Sequence, residues 1–298
     1  MAYFLCGEGS SVTVTVDGVE VEDLALVSDG AIDVSVSTIP YNFNDGSAVV
    51  YKDDIHIMGS DNSSHYTKHY RYNGTSWTSV STLPFKFYRG SSVVYKGELY
   101  ILGGNGYSTN SSKYNGTSWT NLSSLPYKFH SGGAVVHQNE IHILGSAVDS
   151  TCCYYHYKYN GTSWTSVSSL PFGFEKGGAV VLNDEIHLLG GLRSYKAHYK
   201  YNGTSWTSVS TLPYDFGNSG AVVLNNEIYI LGGNVNTAYT KCVYRFNGVS
   251  WEKYTDLSYA FYIGSAIAYN KAINLLGGSE STTSHYALRN IYTKGGAA

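Results

Sequence analysis

The sequence repeats a unit of about 44 residues through almost its whole length, a period typical of propellers, solenoids and other repeat arrays. Five tryptophans mark the unit at spacings of 42, 45, 42 and 45 residues: Trp77, Trp119, Trp164, Trp206 and Trp251. Six glycines that end apolar runs keep the same phase: Gly59, Gly103, Gly145, Gly190, Gly232 and Gly277. The repeat therefore limits the fold more strongly than any single motif does.

Each unit holds four short segments with strand patterns. In residues 199–231 they read Tyr-Lys-Tyr, Trp-Thr-Ser-Val, Ala-Val-Val and Ile-Tyr-Ile-Leu. We name them strands c, d, a and b, because the Ala-Val-Val segment is predicted to begin a blade. Asn-Gly pairs stand between c and d at 73–74, 115–116, 160–161 and 202–203. They predict tight type I′ turns, since both residues tolerate the positive φ that this turn requires.

The double glycine after an apolar strand, the downstream tryptophan and the aromatic residue between them resemble the kelch-repeat family. The resemblance covers roughly residues 29 to 293 and implies a propeller of four-stranded blades. Two repeats depart from the double glycine, with Gly59-Ser60 and Gly145-Ser146. We expect a looser loop after the glycine in these two repeats.

The two ends of the repeat are complementary. Residues 29–40 align with the segment around each tryptophan and supply a lone strand d, with Asp33 in the place of tryptophan. The last repeat ends at strand c, near His285 to Tyr292. We therefore predict an all-β fold, a six-bladed β-propeller over residues 29–298. Pairing of the N-terminal strand with the C-terminal blade would close the ring and remove exposed sheet edges.

Residues 1–28 lie outside the repeat. The stretch from Val12 to Val21 alternates apolar and polar residues around Asp17-Gly18, which predicts an N-terminal β-hairpin appendage. A lone hairpin is marginal in water. It therefore either packs on the propeller, covering the first blade, or attaches the protein to a larger assembly, and the sequence leaves both interpretations open.

Composition argues against several classes of partner. Charged residues make up 14% of the chain and the formal net charge is -3, so there is no electrostatic footprint for nucleic acid. No apolar stretch approaches the roughly 20 residues that span a bilayer, and no membrane insertion is expected. The start lacks a secretion signal, which favours a cytoplasmic or virion-associated location. The four cysteines show no metal-ligand spacing and are interpreted as free thiols, so no metal and no cofactor is expected.

The loops on one face of the predicted disc vary between repeats. Antiparallel order places the d–a and b–c loops on this face, and the nearly uniform a–b and c–d turns on the other. The d–a loop leads into the innermost strand, so its side chains are expected around the mouth of the central channel. The predicted ligand-binding residues are Asn44, Asp45, Tyr88, Arg89, His130, Glu175, Lys176, Asn218 and Tyr262 from d–a loops, with Tyr107 and Tyr195 from b–c loops.

Convergent polar and aromatic groups at a concave mouth are typical of a binding site. Arg89 and Lys176 would donate to a carboxylate or an acidic motif, and Tyr88 and Tyr262 would offer flat amphipathic surfaces. The competing interpretation is that these are solvated loop residues that vary freely. Most of the 29 tyrosines occupy repeated positions, where packing between blades is the expected role.

The predicted function is a non-catalytic recognition module that binds a protein or a glycan through this face. Similarity to kelch-like proteins of gut bacteria and their phages implies a surface-associated role. The alternative is an enzyme, because six-bladed kelch-like propellers include sugar-anomer epimerases resembling sialic acid mutarotase. That resemblance implies an acid–base pair and a carboxylate-binding arginine, for which Glu175, His130 and Arg89 are candidates.

No catalytic or metal-ligating residue is assigned. His56, His142 and His187 occupy the same position in three repeats and are expected to be structural. His65 and His69 are four residues apart, a spacing that suits a metal only on a helix. In a strand-and-loop context they are expected to be plain surface residues.

Overall fold

The computed structural model describes residues 4–5, 14–16, 19–21, 24–25, 31–105, 108–148, 151–192, 194–235, 238–278 and 282–294. Over these residues the chain forms six antiparallel sheets arranged as blades around a central channel. The predicted all-β, six-bladed propeller is confirmed. We number the blades 1 to 6 in the order of their innermost strands.

Each blade contains strands a to d from the channel outward. The a strands are Ser47–Tyr51, Ser91–Tyr95, Gly133–His137, Gly178–Leu182, Gly220–Leu224 and Ser265–Tyr269. The b strands are Asp54–Met58, Glu98–Leu102, Glu140–Leu144, Glu185–Leu189, Glu227–Leu231 and Ala272–Leu276. The c strands are His69–Tyr72, Ser111–Tyr114, His156–Tyr159, Ala197–Tyr201, Cys242–Phe246 and Ser284–Lys294. The d strands are Trp77–Ser79, Trp119–Asn121, Trp164–Ser166, Trp206–Thr211, Trp251–Asp256 and, in blade 6, Ala31–Thr38.

The ring closes as predicted. Ala31–Thr38 pairs antiparallel with Ser284–Lys294, so the N-terminal strand completes the blade that the C-terminal strand ends. Beyond the blade, residues 291–294 of the same long strand pair with the short strands Phe4–Leu5 and Leu24–Ala25. The described strands nearest to the two ends of the chain are therefore held in one sheet.

Shorter elements complete the described chain. Val14–Val16 and Val19–Val21 form an antiparallel hairpin around 17–18; the domain boundary at residue 28 stays a prediction. In the b–c loop of blade 5, Asn234–Val235 pairs with Ala238–Tyr239. The corresponding segment of blade 3 contains a 3-10 helix, Cys152–Tyr154.

Glycine and phenylalanine interlock neighbouring blades. The phenylalanines of the d–a loops are all 0% exposed: Phe43, Phe87, Phe129, Phe174, Phe216 and Phe261. Gly103, after strand b of blade 2, has a φ of +67°, and a Cβ there would overlap the carbonyl oxygen of Phe129 at the entry to blade 3. The repeated glycine is therefore required for both its backbone conformation and its close contact with the next blade.

Serine replaces the second glycine in blades 1 and 3 and is buried there. Ser60 and Ser146 are each 0% exposed. The Ser60 hydroxyl accepts a hydrogen bond from the Asn44 amide at 3.2 Å and donates to the Asn42 carbonyl at 2.8 Å. Ser146 joins His130 and Lys128 in the same way. The hydroxyl ties the end of strand b to the d–a loop, and the expectation of a looser following loop stays a prediction.

The type I′ turns lie between strands a and b, so their prediction at Asn-Gly was wrong. Both residues of each two-residue a–b turn have positive φ: 52–53, 96–97, 138–139, 183–184, 225–226 and 270–271. The c–d connection is a four-residue loop, since Tyr72 pairs with Trp77. Asn73 Oδ1 there accepts hydrogen bonds from the amides of Thr75 and Ser76 at 3.0 and 2.9 Å. The asparagine is used for this side-chain cap rather than for a left-handed backbone.

Buried histidine pairs join strands b and c in three blades. The pairs and their Nδ1···Nε2 distances are His56–His69 (2.8 Å), His142–His156 (2.7 Å) and His187–His198 (2.9 Å). In blade 6, His285 Nε2 lies 2.8 Å from Asn274 Oδ1. The structural role predicted for the strand b histidines is confirmed. The surface role predicted for His69 was wrong, because its side chain is 1% exposed.

Each strand c histidine packs against aromatic rings of the next blade. The His69 ring meets Tyr114 and Trp119 of blade 2 edge-on, with centroids 5.3 and 5.5 Å away. His285 contacts Tyr72 and Trp77 of blade 1 in the same way. Burial lowers the pKa of His69 to about 3 and that of His285 to about 4. These blade interfaces therefore depend on neutral imidazoles.

The repeated tyrosines pack as expected. The hydroxyls of Tyr41 and Tyr127 donate to the carbonyls of Gly59 and Gly145 at 3.1 and 3.0 Å. Burial raises the pKa of Tyr41 well above its usual value. These side chains connect a d–a loop to the end of strand b. Such buried tyrosines are therefore not available for binding at the surface.

Among the described residues, no cluster of three or more histidine, cysteine or acidic side chains could hold a metal ion. Within the same residues, the structure contains no helix long and apolar enough to cross a membrane. Cys153 and Cys242 carry thiols rather than disulfides.

Candidate functional site

A closed ring of backbone hydrogen bonds surrounds the channel mouth. One residue from each d–a loop takes part: Asp45, Arg89, Ser131, Lys176, Asn218 and Ile263. The amide of each donates to the carbonyl of its counterpart in the preceding blade, and Asp45 donates to Ile263 to close the circle, over distances of 2.6 to 2.8 Å. All six have φ between 53° and 57°. The left-handed conformation turns each amide toward the neighbouring blade.

The ring residues enclose a pocket of about 160 Å³. The next residue of each blade, a glycine in five blades and Ser219 in blade 5, lines both this pocket and the central channel below it. The channel has a volume of about 230 Å³, and the first residues of the a strands, all glycine, serine or alanine, line it. The variable side chains are thus concentrated at the mouth, above a channel of small residues.

The two basic residues at the mouth, Arg89 and Lys176, differ in their ion pairing. Arg89 Nε donates to Asp45 Oδ2 at 2.8 Å, and the exposed fractions of the two side chains are 36% and 13%. Lys176, three blades from Asp45, lines the same pocket. No carboxylate of the described residues lies within ion-pair distance of Lys176. Arg89 is therefore held in place by Asp45, while Lys176 has no such ion pair with a described residue.

Stacked tyrosines stand on the rim. Tyr239, from the short hairpin of blade 5, stacks on Tyr262 with ring centroids 3.4 Å apart and planes at 5°. On the other side, Tyr66 stacks on Tyr88 at 5.0 Å. Tyr239 is 46% exposed. Each pair joins a b–c loop to a d–a loop, so the two loop sets form one surface.

Only some of the predicted site residues line the pocket. Asp45, Arg89, Lys176 and Asn218 line the pocket together. Four others lie beside the ring rather than in the pocket lining: Asn44, Tyr88, Glu175 and Tyr262. Tyr195 is an exposed aromatic residue, 39% accessible, in the b–c loop of blade 4. Tyr107 lies outside the described residues.

The sequence predicted that His130 presents its ring at the surface, but the structure buries this ring. Its side chain is 6% exposed and lies beneath the mouth, 3.3 Å from the Ser131 hydroxyl through Nδ1. Burial, and then the nearby charge of Arg89, lower the pKa of His130 to about 4. The imidazole is therefore neutral at pH 7 and supports the loop from below.

Ser131 and Ile263 complete the ring but were absent from the predicted set. Both occupy the second position after the phenylalanine, as Arg89 and Lys176 do. Tyr66 and Tyr239 were likewise left out, although the b–c loops to which they belong supplied Tyr107 and Tyr195 to the predicted set. Strict use of the repeat position would have found the first two residues, but not the second two.

Ile263 is the β-branched residue with positive φ in the described chain, at 54°. This conformation costs a non-glycine residue roughly 1–2 kcal/mol, and β-branched side chains tolerate it least. We expect Ile263→Asn to raise the free energy of unfolding by about 1 kcal/mol, because asparagine adopts this conformation readily. The matched change Asn218→Ile, at φ 53°, should lower it by a similar amount. Urea unfolding of both variants tests this, and equal effects of the same sign would exclude backbone strain as the cause.

One blade matches a known sequence family directly. Residues 216–257 match the Kelch motif family, and this range begins at the phenylalanine of blade 5 and contains its four strands. The other blades carry the same frame of glycine, aromatic residue and tryptophan or its replacement. The chain is a six-bladed β-propeller in which this blade carries the Kelch motif.

The propeller also resembles solved structures. One, reported as the structure of YjhT, superposes with a TM-score of 0.71 at 18% sequence identity, covering 86% of this chain and 95% of that chain. At this identity the likeness shows the fold alone. Altogether 394 chains of solved structures match, and a scaffold shared so widely does not select a function. No curated protein matches the chain.

Proposed function

We propose that this propeller is a recognition module that binds a glycan at the mouth of its central channel. The observation that carries the proposal is the ring itself. Six loops, tied by a closed circle of backbone hydrogen bonds, hold differing side chains around one pocket on a rigid frame. Preformed concave sites with a few convergent polar groups are the usual form of a small-ligand site.

The size and lining of the pocket favour a glycan over a protein surface. The pocket is small, about 160 Å³, and takes hydrogen-bonding side chains from five blades. The stacked pairs Tyr66–Tyr88 and Tyr239–Tyr262 stand beside it. Sugar rings combine hydroxyl groups with apolar C–H faces, and tyrosine offers an apolar ring with a polar tip. A protein ligand inserting one loop is the other outcome that the same surface admits.

Binding to a glycan array tests the proposal. We expect wild-type protein to bind a restricted set of glycans, and Tyr262→Ala to weaken that binding at least tenfold, because it removes one ring of the exposed stack. The control is Val249→Thr, since Val249 is 85% exposed in the c–d loop of the opposite face. This change restores the Asn-Gly-Thr-Ser sequence of the other blades and should leave binding unchanged. Absence of any glycan binding, or equal loss in both variants, would refute the proposal.

The alternative of an epimerase would use Glu175, His130 and Arg89. Arg89 already pairs with Asp45, and His130 is buried below the ring, which favours recognition over catalysis. Exchange spectroscopy by NMR, with any free sugar that binds, measures the rate of anomer interconversion directly. Acceleration that disappears in Glu175→Gln would establish the enzyme instead.

A further inference from the structure

Five c–d loops of the propeller carry the same Asn-Gly pair, at 73–74, 115–116, 160–161, 202–203 and 247–248. In each loop the asparagine Oδ1 accepts hydrogen bonds from the backbone amides two and three residues later, over 2.8 to 3.0 Å. One reactive group therefore occurs in five nearly identical loops, and only the surroundings of the loops differ.

In blades 1 to 4, two further contacts hold this loop in place. The tyrosine that ends strand c donates its hydroxyl to the carbonyl of the loop glycine at 2.8 to 2.9 Å. The a–b turn of the preceding blade also reaches the loop. Lys52 Nζ donates to the Asn115 carbonyl, and Lys96 Nζ donates to the Asn160 carbonyl, each at 3.2 Å. We call the tyrosine bond and the contact from the preceding blade the loop clamp.

The loop of blade 5 lacks both parts of the clamp. Strand c ends here in Phe246, which has no hydroxyl, and the preceding blade presents Leu182-Asn183 where blades 1 and 2 present Tyr-Lys. Within the described chain, no hydrogen bond links blade 4 to residues 247–250. A Cβ added to Gly248 would have no other atom within 4 Å. At the other four loop glycines it would meet a side chain of the preceding blade at 2.4 to 3.4 Å.

An Asn-Gly pair contains its own nucleophile. The backbone nitrogen of Gly248 can attack Cγ of Asn247, because glycine has no side chain to hinder the approach and its backbone is permissive. The new N–Cγ bond forms, the Cγ–Nδ2 bond breaks, and the amide proton leaves with the nitrogen as ammonia. Water then opens either C–N bond of the resulting succinimide and gives aspartate or isoaspartate. The Oδ1 hydrogen bonds must break before the attack, so the rate depends on local opening of the loop.

We propose that Asn247-Gly248 is a site of spontaneous deamidation in the folded protein, and that the clamp protects the other four Asn-Gly pairs. The product would change the charges of blade 5. Asn247 Nδ2 donates to Glu252 Oε1 at 3.2 Å, and Arg245 Nη2 donates to Glu252 Oε2 at 3.4 Å. Deamidation replaces the amide donor with a second carboxylate beside Glu252. The loop and the start of strand d should therefore loosen, because like charges repel.

Peptide mass spectrometry after incubation at neutral pH measures all five sites in one sample. We expect Asn247 of the folded protein to convert at least tenfold faster than the asparagines of the other four loops, because each hydrogen bond of a clamp lowers the open fraction several-fold. In urea the five sites should convert at similar rates. Equal rates in the folded protein, or a preference for Asn247 that persists in urea, would overturn the proposal.

The double variant Asn183→Lys, Phe246→Tyr supplies the missing clamp. The φ of Asn183 is 51°, and the lysines of blades 1 and 2 have φ of 50° and 49° at this position, so the backbone accepts the change. We expect it to slow conversion at Asn247 at least fivefold. The control Asn225→Lys makes the same exposed change in blade 5, where the turn faces no Asn-Gly loop, and should leave the rate unchanged. An unchanged rate in the folded double variant, verified by a thermal melt, would refute protection by the clamp.

Discussion

Acidification from pH 7 to pH 4 is expected to unfold this propeller. The buried histidines of four blades have a pKa lowered from 6.5 to about 4 or about 3, first by desolvation, as for His56, His69 and His285. The unfolded chain binds these protons near pH 6.5 and the folded chain does not. The stabilisation is therefore complete above pH 6.5 and is lost as pH falls toward the folded-state pKa.

The effect is large because it repeats around the ring. Counting only one excluded proton in each of blades 1, 3, 4 and 6, the free energy of unfolding falls by about 1.4 kcal/mol per proton and pH unit. Four protons give about 5.6 kcal/mol per pH unit, whereas a folded domain has only about 5–15 kcal/mol in total. Urea unfolding at a series of pH values from 7.5 to 4 measures this slope.

Blade 2 supplies the matched variant. At the positions of His56 and His69 it carries Tyr100 and Ser111. The double variant His56→Tyr, His69→Ser removes both protons that blade 1 excludes, so it should reduce the slope by up to two protons, or about 2.7 kcal/mol per pH unit. An unchanged slope would show that other groups cause the acid sensitivity. Histidine NMR titration of the wild type checks the cause independently, because the buried rings should stay neutral down to pH 5.

Gly103→Ala is expected to disrupt the packing between blades 2 and 3 severely. The backbone there has a φ of +67°, and the new Cβ would overlap the Phe129 carbonyl of blade 3. Neither backbone segment can move without separating the blades. We expect a loss of at least 4 kcal/mol in the free energy of unfolding, or failure to fold, since clashes add to the cost of left-handed backbone.

The control lies six residues away in the same blade. Gly97, in the a–b turn, has a φ of +75°, but a Cβ added there would have no other atom within 4 Å. Gly97→Ala should therefore cost only the conformational strain, about 1–2 kcal/mol. Chemical unfolding of both variants separates the two contributions. Similar losses would mean that the blade interface adjusts, and that close packing is not what requires the repeated glycine.

Several site features were predictable because they recur at one repeat position. The alignment of six d–a loops placed Asp45, Arg89 and Lys176 on the same face and around the same channel, and the structure brings them together. The same alignment could not distinguish Arg89 from Lys176. That distinction depends on a carboxylate 44 residues away in sequence, and on how closely two blades approach.

The histidines illustrate a similar limit. Their spacing in sequence, as in His56 and His69, suggests no contact, because neither a helical nor a strand period relates them. They meet because the register of strands b and c places Arg71 opposite His56 and Met58 opposite His69, which makes the two histidines diagonal neighbours on one face of the strand pair. Aromatic rings of the next blade then cover the pair, as Tyr114 and Trp119 cover His69. The local sequence around the histidines does not predict this contact.

By itself, the sequence determined the strand pattern, the number of blades, the closure of the ring and the face on which the loops vary. Those properties follow from short-range periodicity repeated at a constant interval. The tertiary structure alone decided which turns are left-handed, that His130 lies beneath the mouth, and that Arg89 pairs with Asp45 while Lys176 has no such ion pair with a described residue. These depend on contacts between blades, where residues more than 40 positions apart compete for the same space, hydrogen bonds and charge.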